Sequence, residues 1–181
     1  MEDVTAERRV GLRGVELVLR LLRNGRREVR GDGLWYARKL GRKAEAAVPT
    51  LLEFLAAAKG SARHEQAGAA ARALGEIGPA AREALPDLKR AALEGENAAA
   101  RVLTLIDPEG KEVLSTLIEI LEAPSISSPG AFESIQRLGA KAAIPLLEEL
   151  AAGDRPTIRP VNWEVESAAR TALEKIRVPA R

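Results

Sequence analysis

Apolar residues recur along this chain at helical spacing, and they do so in separate blocks. The first block is Leu12, Val15, Val18, Leu19 and Leu22, with Arg13, Glu16, Arg20 and Arg23 between them. That alternation predicts an amphipathic helix with one buried stripe. Later blocks are Leu51, Phe54 and Leu55, then Leu88, Ala91 and Ala92, then Leu117, Ile120 and Leu121, then Leu147 and Leu150. Three of these four follow a proline, Pro49, Pro86 or Pro145, and Ser115 holds the matching position before the third. Proline is tolerated in the first turn of a helix, where its missing N–H has no partner to lose. Each block therefore predicts the start and inner face of a helix.

The blocks belong to a longer repeat. Arg72-Ala73-Leu74-Gly75-Glu76-Ile77-Gly78-Pro79 returns as Arg101-Val102-Leu103-Thr104-Leu105-Ile106-Asp107-Pro108, 29 positions later. Leu40-Gly41 to Val48-Pro49 echoes Ile77-Gly78 to Leu85-Pro86, and Leu138-Gly139 to Ile144-Pro145 repeats it again. A period in this range marks helix pairs that bury their apolar faces only by stacking on neighbours. The units fall at about 28–60, 64–94, 97–122 and 129–152, with a lone helix at 163–177. Residues 1–27 form a basic capping segment ahead of the repeat region 28–181.

Each unit reads as helix, glycine-marked turn, helix. The glycine after the first helix, Gly41 or Gly78, is placed to adopt the left-handed conformation that ends it. Connections are expected at Lys59–Arg63, Glu94–Asn97, Ala123–Gly130 and Gly153–Asn162, with Ser128 and Asn162 as N-caps. Gly31 and Gly33 weaken the helix that should open the first unit, so it is expected to begin late. Trp163, at the end of an apolar loop from Thr157, is expected to cover the end of the stack.

Composition sharpens the fold class. Apolar residues make up 46% of the 181 residues and aromatics only 3%, so alanine and leucine carry the core. This suits closely packed helices, and a chain of this length buries roughly 70% of its unfolded surface. With no cysteine there is no disulfide, thiolate metal site or cysteine nucleophile. The N-terminus Met1–Thr5 is acidic and lacks the apolar core of a signal peptide, and the run Leu17–Leu22, broken by Arg20, is too short to span a bilayer. A cytoplasmic protein that makes no use of a membrane is the expectation. The formal charge of +2 hides an asymmetry: residues 1–43 hold 12 Lys/Arg against 6 Asp/Glu, and the remainder 16 against 20.

The Ala-rich first helix, the Leu-Gly or Ile-Gly turn and the second helix opening near proline resemble the HEAT-like repeats of the phycobilin-lyase type. The resemblance covers about residues 28–177. It implies an all-α fold: a right-handed α-solenoid (superhelix) of about four helix pairs with capping helices, second helices lining a concave side. On that implied geometry the positions one and four after Pro49, Pro86, Ser115 and Pro145 form a stripe: Thr50 and Glu53, Asp87 and Arg90, Thr116 and Glu119, then Leu146 and Glu149 with Glu148 beside it. The stripe is mixed to acidic, so a phosphate backbone would meet carboxylates in most repeats. A basic or mixed protein surface fits it better.

Catalytic chemistry finds little footing. The single histidine, His64, lies in Arg63-His64-Glu65. The pair is similar to those that hold iron in a HEAT-like hydroxylase, but one imidazole cannot supply such a site. Gly31-Asp32-Gly33 lacks the lysine and preceding strand of a phosphate loop. No catalytic residue, cofactor, metal or small-molecule ligand is indicated. The basic residues Arg20, Arg23, Arg26, Arg27 and Arg30 could hold phosphates or an acidic partner, with only Trp35 and Tyr36 nearby for base stacking. The expectation is a non-enzymatic protein-interaction scaffold. A nucleic-acid-binding module using the basic N-terminal edge is the alternative, and a lyase- or hydroxylase-type enzyme the third reading.

Overall fold

A computed structural model of the chain describes residues 13–57, 61–122, 129–138, 148 and 170. Among these the secondary structure is helical throughout, with no strand. The helices are α1 (13–22), α2 (Arg27–Leu40), α3 (Val48–Ala56), α4 (Ser61–Ile77), α5 (Leu85–Leu93), α6 (Asn97–Ile106), α7 (Leu114–Glu122) and α8 (Pro129–Leu138). Glu148 and Arg170 are helical and exposed. The chain divides into two compact units, Met1–Leu88 and Lys89–Arg181. Leu12, Ser128, Leu147, Glu149, Leu150, the loop before Trp163 and, apart from Arg170, the helix expected at 163–177 lie outside the described residues, as does the side chain of His64.

In the first unit the expected turns are 3-10 helices. Gly41 and Gly78 adopt φ of 53° and 72° and end α2 and α4. A 3-10 segment then carries the chain to the next helix, Gly41–Ala47 in one case and Gly78–Ala84 in the other. A non-glycine residue pays a steric penalty at such φ values, which is why the sequence repeats glycine there. Pro49 and Pro86 lie in the first turns of α3 and α5. The core matches the apolar pattern: Val18, Leu22, Leu34, Leu51, Leu55, Leu74, Ile77, Leu85 and Leu88 are buried.

The helix expected to begin late does not. α2 starts at Arg27 and runs through Gly31 and Gly33. The reason is packing between α1 and α2. A Cβ on Gly33 would lie 2.9 Å from the Leu22 nitrogen and 3.0 Å from Leu21 Cβ. The missing side chain lets α1 lie directly on α2, and that contact offsets glycine's low helix propensity. Gly14 faces Leu40 while Gly33 faces Leu22, so the two helices are antiparallel. Similarly, α4 starts at Ser61, inside the connection expected at Lys59–Arg63.

Within each unit two helices lie side by side and run parallel. In the first unit α2 packs on α4: Arg27 meets Glu65 near their starts, and Gly41 meets the Glu76 carbonyl near their ends. In the second unit α6 packs on α8. There the Gly130 N–H donates to Asn97 Oδ1 (2.7 Å), Ser134 Oγ donates to the carbonyls of Ala100 (2.6 Å) and Arg101 (3.0 Å), and Arg137 donates to Thr104 Oγ1 (3.0 Å). Asn97, Arg101 and Thr104 each face the residue 33 positions on, so the register is constant along the pair. Small residues make this approach possible: Ala98, Ala99 and Ala100 on one side and Gly130, Ala131 and Ser134 on the other are buried. The turn after α6 differs from those of the first unit. Asp107, almost fully buried, accepts the Glu112 N–H through Oδ2 at 2.7 Å, and Gly110 takes a φ of 71°.

Candidate functional site

The basic segment around residues 20–30 folds into a turn held by its own arginine. α1 ends as Arg23 and Asn24 donate their N–H groups to the carbonyls of Leu19 (3.2 Å) and Leu21 (3.1 Å). Asn24 then turns the chain by accepting the Arg26 N–H on Oδ1 at 2.9 Å, a local bond that asparagine favours over helix continuation. Arg30, one turn into α2, reaches back and donates Nη1 to the carbonyls of Asn24 (3.1 Å) and Gly25 (2.9 Å). A guanidinium has several donors in a fixed plane, so one side chain can pin two carbonyls.

Beside this turn, α4 is tied to the start of α2. Arg27 Nη2 donates to Glu65 Oε2 at 2.6 Å, and Gln66 Nε2 donates to the Arg27 carbonyl at 3.3 Å. Both charged partners are exposed, so the pair stabilises by at most about 1 kcal/mol. It positions more than it holds.

Between the α1–α2 turn, the end of α3 and the start of α4 lies a cleft of about 320 Å³. That is near the lower end of ligand-binding volumes, which run from about 300 to 1,000 Å³. Leu22, Phe54 and Ala57 give it an apolar wall. Arg23 and Arg30 supply positive charge, Glu53 an acceptor, and Asn24 and Gln66 amides. Leu22 is buried and Phe54 half-buried, so the aromatic ring is partly open to an incoming group. The described lining residues include no hydroxyl, thiol or imidazole. Their arrangement suits holding an apolar group beside an anionic one.

This cleft joins residues that the sequence placed in separate sets. Glu53 came from the stripe of second helices, and Arg23 and Arg30 from the basic cluster. Of the other basic residues, Arg20 and Arg26 are exposed and Arg27 is engaged with Glu65. Along the stripe, Arg90, Glu119 and Glu148 are exposed and Asp87 is half-buried. Thr50 and Thr116 correct the expectation. They keep only 5% and 7% exposure and belong to the core. Thr50 is in the first turn of α3, which packs on α4 and both 3-10 segments, and Thr116 is in the first turn of α7, which packs on α8. Small side chains near a helix start are enclosed by the elements that converge there.

Phe54, Asn24 and Gln66 were not singled out for binding by sequence. Phe54 was read as plain core, although it is one of only two phenylalanines and sits next to Glu53. Among the described residues no group of three or more His, Cys, Asp or Glu side chains is placed to hold a metal ion. No helix among them is long and apolar enough to cross a membrane. No protein-family model, curated protein or solved structure matches the chain.

Proposed function

We propose that the chain is a non-enzymatic protein-interaction module, a right-handed α-solenoid of about four HEAT-like pairs, that holds a segment of another protein in the α1–α3–α4 cleft. The observation that carries this reading is the composition of the cleft: an apolar wall ending in a half-exposed phenylalanine, bordered by two arginines and two amides. An apolar side chain of the partner packs against Phe54 and Leu22. An acidic group beside it meets Arg23, whose neighbour Arg30 adds charge while holding the turn. Parallel first helices at a near-constant register support the repeat assignment, since this is how stacked pairs share one core. Nucleic acid is the weaker reading because Arg27 and Arg30 are already engaged and Glu53 faces the same space.

The test is recovery of partners from a lysate of the source cells by wild type and by variants, read by mass spectrometry. Phe54→Ala with Arg23→Glu should lose the partner, with Phe54→Ala alone weakening binding about tenfold or more, as for an anchor residue. Glu119→Lys should leave it bound. Recovery that survives the double substitution, or that disappears with nuclease, would count against the cleft as a protein site. Circular dichroism checks that the helices remain.

A further inference from the structure

The outward face of α2 carries Glu28, Asp32, Trp35, Tyr36 and Lys39, all exposed. At 100° per residue these five fall within an arc of about 100°. The opposite face buries Gly33, Leu34 and Ala37. Trp35 and Tyr36 keep 50% and 44% of their surface in water. They are two of the chain's five aromatic residues, and they sit together: the rings meet edge to face at 4.9 Å. The Lys39 ammonium lies 5.4 Å from the Trp35 ring centre. Large aromatics held in water in this way mark a contact surface, because tryptophan and tyrosine dominate the energetic centres of interfaces.

The order of charge along this face decides what it can contact. Acids come first, the aromatic pair stands in the middle, and Lys39 follows, with exposed Arg42 and Lys43 just beyond the helix. Asp32 and Lys39 are equidistant from the midpoint between Trp35 and Tyr36, and so are Glu28 and Lys43. Turning the helix end for end about that midpoint exchanges acid for base and tryptophan for tyrosine. A surface with this property is complementary to itself across a two-fold axis.

We propose that α2 pairs antiparallel with α2 of a second copy of this chain. In that pair Asp32 of each copy faces Lys39 of the other, Glu28 faces the Arg42–Lys43 end, and each Trp35 packs against the other copy's Tyr36. A nucleic acid or a uniformly acidic segment would meet Glu28 and Asp32 at one end of the same face, where like charges repel. The inference is independent of the cleft, whose lining uses none of these five side chains.

The test is the mass in solution over a concentration series, by sedimentation or light scattering. Wild type should rise from 19.4 kDa toward twice that value with concentration and fall back in high salt. Glu28→Lys with Asp32→Lys should stay monomeric alone, as should Lys39→Glu with Lys43→Glu. Mixed in equal amounts, the two variants should pair again, since the bases introduced at 28 and 32 then face the acids introduced at 43 and 39, and native Lys39 and Lys43 face native Asp32 and Glu28. Trp35→Ser, a change at an exposed site, should weaken wild-type pairing at least tenfold. A wild type that stays at 19.4 kDa throughout overturns the proposal, whether or not it binds added single-stranded DNA or an acidic peptide. So does a dimer indifferent to Trp35→Ser, or variants that fail to pair when mixed.

Discussion

At the scale of single residues, glycine positions in α2 carry opposite lessons. Gly33 is fixed by the backbone of α1, with no room for a Cβ, whereas a Cβ on Gly31 would meet nothing within 4 Å. Gly33→Ala should destabilise the chain by about 1–3 kcal/mol through forced separation of α1 and α2. Gly31→Ala should instead stabilise it, by about 0.5–1 kcal/mol, since alanine restricts the unfolded chain and favours helix. Thermal or urea unfolding of both variants checks the pair of signs. From sequence the two glycines look alike, because propensity is local and the contact with Leu22 is not. The same limit hid the burial of Thr50 and Thr116: a threonine one position after Pro49 or Ser115 reads as surface until the elements around it are known.

At the scale of elements, the helices and their order were legible and the joints were not. Pro49, Pro86 and Pro129 mark helix starts, and Gly41 and Gly78 mark ends, because each residue type has a backbone restriction that acts by itself. Nothing in Gly41–Ala47 or Gly78–Ala84 announces a 3-10 helix, whose weak intrinsic preference is decided by packing. The α6–α8 pair depends on side chains that bond across it. Asn97→Ala removes the acceptor for the Gly130 N–H at the start of α8 and should cost about 1 kcal/mol, with loss of helicity greatest in α8. Amide hydrogen exchange of residues 129–138 locates that loss. The candidate cleft was half legible. Glu53, Arg23 and Arg30 were each named from charge and spacing, but their meeting depends on contacts between segments some thirty residues apart. Phe54 was hidden by its resemblance to a core residue.

At the scale of the whole chain, the excess of basic residues before residue 44 and of acidic ones after it is partly consumed inside the fold. Arg27, before residue 44, answers Glu65, after it. The first unit, Met1–Leu88, ends within α5 and holds its own core of Leu22, Leu34, Leu51, Leu74 and Leu85. A fragment ending at Leu93, which completes α5, should therefore fold alone, with helical circular dichroism and a cooperative melt. A fragment without a melting transition would mean that this unit needs the rest of the chain. The near-constant register of neighbouring helices carries a further consequence for biosynthesis. Arg27 waits for Glu65, 38 residues on, and Asn97 for Gly130, 33 residues on. A ribosome releasing the chain from its N-terminus thus supplies α2 and α6 each with its lateral neighbour after a short delay of similar length. Folding of these two pairs can follow translation, and neither α2 nor α6 waits on the C-terminus for that neighbour.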